Sequence, residues 1–103
     1  MIVVDFPETS ENQVSLRVVG HSGQAAKGFD IVCSAVSALV QTFIGGLEEE
    51  LKAQLQGEVG VGSCNLLIRV PEANAEKFRA VCKVFKYGFR KIAESYPEHV
   101  QLN

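Results

Sequence analysis

The chain has 103 residues, the scale of one domain with a single hydrophobic core. A 47% hydrophobic and 21% charged composition is that of a soluble globular protein, which excludes a disordered chain. The formal net charge of −2 gives no global attraction to nucleic acid or to an anionic membrane.

The N-terminal MIVVDFPE lacks the basic leader of a signal peptide. The longest apolar stretch, 31–46, contains Ser34, Ser37, Gln41 and Thr42 and reads as too short and too polar for a membrane span. The expected location is therefore cytoplasmic, with no membrane partner. Cys33, Cys64 and Cys82 are odd in number and widely spaced, without a CxxC pair. Neither a disulfide nor a zinc site is expected from them, and no metal or cofactor is implied.

In chain order, Ile2 to Phe6 reads as a first strand, stopped by Pro7 and the polar turn residues 8–12. Val14, Leu16 and Val18 then alternate with polar residues, the period of a half-buried strand. This hairpin delivers Gly20 and His21 at the end of its second strand.

From Asp30 the period changes to that of a helix. Ile31, Ala35, Leu39, Phe43 and Leu47 recur at four, with Val32, Val36, Val40 and Ile44 beside them. Asp30 is placed as the helix cap, and Gly45-Gly46 as a point where the helix ends or kinks. Residues 52–62 and 64–70 read as two further strands, joined among Gly57, Gly60 and Gly62.

After Pro71, Asn74 is placed as the cap of a second helix. Phe78, Val81, Cys82, Phe85, Phe89 and Ile92 recur along it at three and four, as far as about Tyr96. Residues 100–102 add a short stretch of strand. With no repeat or linker, residues 1–103 read as one domain. The order β-β-α-β-β-α predicts an α+β two-layer sandwich, a mostly antiparallel sheet with two helices packed on it.

The chemistry centres on one thiol. Cys33 falls in the first turn of the predicted helix, where unsatisfied N–H groups and the helix dipole favour an anion. The dipole is worth about 0.3–1 kcal/mol, too little to bring a thiol from a pKa of about 8.5 to catalytic values at 1.36 kcal/mol per unit. His21 supplies a second stabiliser. It ends the strand whose following loop leads into the helix, so imidazole and thiol are brought together without an unusual fold. The N–H groups at the helix start, that of Cys33 included, are candidate donors to an oxyanion. The loop between them, with Ser22, Gly23 and Gly28, reads as a lid. On spacing alone, core filler competes closely with this reading, because free cysteines are among the most buried residues. Filler is the better reading for Cys64 and Cys82.

The block GHSG, a glycine-containing loop and then GFDIVCSAVS resembles the signature of the ribosomal-processing cysteine protease family, Prp. The matching residues are Gly20, His21, Gly28, Asp30, Cys33 and Ser37. A hairpin ending in RVP and a helix closing in IAESYPEHV agree with it. The resemblance implies a small homodimeric bacterial peptidase that removes an N-terminal extension from a large-subunit ribosomal protein precursor, cutting after an aromatic residue. It implies Cys33 as nucleophile and His21 as general base, with Asp30 and Ser37 in supporting places. Ser22 and Ser34 stand where alanine is more usual. Phe29 and the apolar first turn are the nearest candidates for substrate contacts.

An alternative is a ribosome- or RNA-binding module using the helix 74–96, which carries Lys77, Arg79, Lys83, Lys86, Arg90 and Lys91, six of the ten Lys and Arg residues. The preferred reading of these charges is the solvated face of an amphipathic helix, with no nucleic acid required.

Overall fold

The period-2 segments form strands whose alternate residues build one face of a sheet. A computed structural model describes residues 1–20, 29–60 and 62–103. Its strands are β1 (Ile2–Asp5), β2 (Glu8–Ser10), β3 (Gln13–Val19), β4 (Gln54–Gly60), β5 (Ser63–Arg69) and β6 (Val100–Leu102). The helices are α1 (Phe29–Leu51) and α2 (Ala75–Ser95). The sheet order is β4-β5-β3-β1-β6, with β2 paired to β3. Every pairing is antiparallel except that of β1 with β6. This is the expected two-layer α+β arrangement.

Val4 opposite Val18, Leu16 opposite Leu66 and Val14 opposite Ile68 set one apolar face. All six are buried, as are Val32, Val36, Phe43 and Leu47 of α1 and Phe78, Cys82 and Phe89 of α2. These residues form one core cluster. Each large apolar side chain removed from water contributes about 1.5–3 kcal/mol. Phe6 joins the layers. Its ring centroid lies 5.1 Å from Phe43 and 5.8 Å from Phe89, so the end of β1 is held by both helices.

Four details differ from the sequence reading. The polar segment after Pro7 pairs as the short strand β2 rather than remaining a turn. Strand β4 is shorter than 52–62, because α1 extends to its doorstep. The helix begins at Phe29, so Asp30 lies inside its first turn and not ahead of it. It also runs through Gly45 and Gly46, which face open space. A glycine costs about 1 kcal/mol against alanine in a helix, less than the burial of Phe43 and Leu47 on either side returns. The helix stops where Lys52 adopts φ +58° and the Ala53 N–H reaches back to the Leu47 carbonyl at 3.0 Å.

That extension corrects the expectation about length. Ile31–Leu51 is long and apolar enough to cross a membrane by length and composition alone. In this fold its apolar stripe packs into the core shared with the sheet and α2. Asn74 does stand at the N-cap of α2, but its side chain makes no cap hydrogen bond. Its Nδ2 donates instead to the Leu51 carbonyl at 2.9 Å, tying the start of α2 to the end of α1.

Candidate active site

Strand β3 stops at Val19, and Gly20 turns the chain with φ +85°. A Cβ on Gly20 would fall on the Met1 carbonyl oxygen. The first glycine of the GHSG block is thus required by backbone packing against the neighbouring strand. His21, Ser22, Gly23 and Gly28 lie outside the described residues, as does the side chain of Asp30.

Cys33 lies one turn into α1. With the helix starting at Phe29, the i→i−4 ladder already reaches the amide of residue 33. Its own N–H is therefore not one of the unsatisfied donors, which belong to the residues before it. The expectation that Cys33 itself donates to an oxyanion is corrected on this point. The dipole acts over the first turn, at whose edge Cys33 sits. Its side chain is 7% exposed, against 1% for Cys82.

Ser37 follows Cys33 by four residues, so the two share a helix stripe with side chains about 5–6 Å apart. Ser37 is half-buried and lines a pocket of about 140 Å³ between α1 and the β4–β5 hairpin. The sheet side of that pocket is a row across three strands: Val18 opposite Cys64 and Cys64 opposite Val59. Burial pushes the Cys64 thiol up, which keeps it neutral and a poor nucleophile. A larger cavity of about 660 Å³ lies by Glu48, Gln54 and Arg69. Glu48 is fifteen residues along α1 from Cys33, or about 22 Å at 1.5 Å per residue, too far to serve the same thiol.

On α2, Lys77, Lys83, Lys86, Arg90 and Lys91 are exposed. Lys91 pairs with Glu94 at 3.3 Å, and Arg90 and Lys91 lie 5.8 and 5.4 Å from the Tyr87 ring centre. This is a solvated, internally paired helix face.

Compared with known families, residues 1–101 match the one described as cysteine protease Prp. The chain belongs to this family. Like the rest of it, it is a cysteine protease, and the Prp fold is shared across its whole length. The essential ribosomal processing protease Prp from S. aureus, solved with a substrate peptide, superposes with a TM-score of 0.77 at 23% identity, covering 100% of this chain and 98% of that one. The same enzyme with a covalently linked product peptide gives 0.75 at 24% identity over the same shares. SMU.848 from Streptococcus mutans gives 0.77 at 30% identity, covering 100% of this chain and 92% of that one. No curated protein matches the chain.

Sequence reasoning missed the pocket. Periodicity marks Val18, Val40 and Cys64 as inward-facing, but it does not say where the helix layer ends above the sheet. The nearest signal was the glycine run 57–62, which leaves that end of the hairpin poor in side chains.

Proposed function

We propose that this Prp-family protein is an endopeptidase that removes an N-terminal extension from a large-subunit ribosomal protein precursor, cutting after an aromatic residue. Cys33 is the nucleophile and His21 the general base. The observation that carries this reading is the position of Cys33. It is the thiol that lies in the family's motif, near a helix start and on the stripe bordering a pocket, whereas Cys64 is held neutral and Cys82 is sealed in the core.

The chemistry follows from those groups. His21 takes the Cys33 proton, and the thiolate attacks the scissile carbonyl carbon. As the tetrahedral intermediate collapses, the C–N bond breaks and the imidazolium protonates the departing amine. Water, deprotonated by His21, then attacks the thioester and releases the acid and the Cys33 thiol. The covalently linked product peptide in the S. aureus enzyme supports such a covalent route here. Asp30 and Ser37 keep supporting places in this reading. The homodimer and the cytoplasmic location are part of the same proposal, and sedimentation of the purified protein tests the first.

The deciding experiment is intact-mass spectrometry of the precursor from the same genome, incubated with wild type, Cys33→Ala and His21→Ala. A single cut after an aromatic residue near the N-terminus, lost in both variants, is the expected result. No cut of a demonstrably extended precursor by folded wild type overturns the substrate assignment.

A further inference from the structure

The pocket beside Ser37 has a definite shape. Its sheet wall runs from Val18 and Cys64, 3% and 4% exposed, to Val59, 65% exposed. These three stand on adjacent strands, so the row spans about 10 Å at 4.8 Å per strand. The opposite wall is the α1 stripe of Ser37, Val40 and Gln41. The pocket is thus deep under α1 and opens at the β4 edge. None of the residues lining it is charged.

Size and position then select an occupant. An apolar cavity of about 150 Å³ holds a benzene ring. This one, at about 140 Å³, has room for one phenyl-sized group and not for an indole. Cys33, Ser37 and Val40 follow one another at four and three along α1, so the thiol lies about one turn, or 5.4 Å, from the pocket wall. An extended peptide advances about 3.3 Å per residue. A peptide with its scissile carbonyl at Cys33 therefore brings an adjoining side chain to the pocket.

We propose that this pocket is the specificity pocket of the peptidase, with Val18, Val40, Val59 and Cys64 accepting one uncharged apolar side chain, up to the size of phenyl, from a residue adjoining the cut. The assignment rests on Cys33 as the nucleophile for its register, but not for its binding chemistry. Val40 sets the bore, because it is half-buried on the wall that faces the sheet row. Val59 sets the mouth, and its exposure means that substitution there leaves the core untouched.

Two measurements test this independently. In Cys33→Ala protein, methyl NMR follows the valines during titration with acetyl-phenylalanine amide, acetyl-alanine amide and acetyl-tryptophan amide. Saturable shifts at Val18, Val40 and Val59 with the phenylalanine compound alone are expected, and they disappear in Cys33→Ala/Val40→Phe. In the active enzyme, Val40→Phe and the folding-safe Val59→Asp each lower kcat/KM for a peptide with phenylalanine before the cut by at least about tenfold relative to its alanine counterpart. Wild-type cleavage with that ratio unchanged in both variants overturns the pocket and leaves the protease reading standing. Phenylalanine-selective shifts without cleavage of any peptide uphold the pocket and overturn the protease reading. Absence of those shifts overturns the pocket whatever is cleaved.

Discussion

Gly20 lies so close to Met1 that a Cβ on the glycine would occupy the position of the Met1 carbonyl oxygen. Its φ of +85° is also one that L-residues adopt at a cost of about 1–2 kcal/mol. Both effects act at the residue that hands the chain to His21. Gly20→Ala is expected to lower stability by about 2 kcal/mol or more, a Tm drop on the order of 10 °C for a domain this size. Urea unfolding measures it. Proteolytic activity, assayed below the variant's transition, is expected to fall as well, because the start of β1 and the entry to His21 shift together.

The three thiols differ in surroundings, and alkylation reports the difference. Cys33 is near a helix start and close to an open pocket, Cys64 is kept protonated by burial, and Cys82 is enclosed between α2 and the sheet. Iodoacetamide near neutral pH is expected to label Cys33 at least about tenfold faster than the other two. Peptide mapping of the singly labelled protein checks it. First labelling at Cys64 contradicts the assignment of the nucleophile.

The raised Cys64 thiol also makes a signed prediction for alkaline pH. Burial disfavours its thiolate in the folded state, so between the unfolded pKa of about 8.5 and the higher folded value the native protein binds more protons than the unfolded chain. The stabilisation is complete below the unfolded pKa and is lost as pH rises toward the folded one. Denaturation of wild type and Cys64→Val from pH 7 to 10 should show the variant losing less stability above about pH 8.5. Parallel curves refute the linkage.

The sheet and both helices were legible because their apolar periods are long and unbroken, as at Val14, Leu16 and Val18 or Phe78, Cys82, Phe85 and Phe89. The details that escaped were decided by distant partners. Gly45-Gly46 marks a local weakness, but Phe43 and Leu47 carry the helix across it by packing against residues far away in sequence. Asn74 has the chemistry of a cap, yet the Leu51 carbonyl outbids its own helix for the amide. At the site, the GHSG and DIVCSAVS blocks were readable as a motif. The pocket was not, because Val59 reaches it only through a register with Cys64 that no local pattern specifies.

The Asn74 bond has its own test. It bridges residues 23 apart and is partly shielded from water, so its removal leaves the Leu51 carbonyl without that donor. Asn74→Ala is expected to cost about 1 kcal/mol, seen as a lower urea midpoint with an unchanged slope. The alkylation rate of Cys33 should not move, since the substitution lies at the far end of α1.

That same end of α1 carries an electrostatic fault that can be corrected. Glu48, Glu49 and Glu50 all lie in its last turns, which contain no basic residue. Carbonyl groups there already present the negative end of the dipole, so each carboxylate is unfavourable by about 0.3–1 kcal/mol. Glu50 is exposed, and Gln matches Glu in both shape and helix propensity, so Glu50→Gln changes the charge and little else. It should raise stability by about 0.3–1 kcal/mol at low ionic strength, or a few degrees in Tm. In 1 M salt the screening length falls to about 3 Å, and most of that gain should vanish. A gain that persists in high salt would mean that packing or propensity, and not the dipole, is responsible.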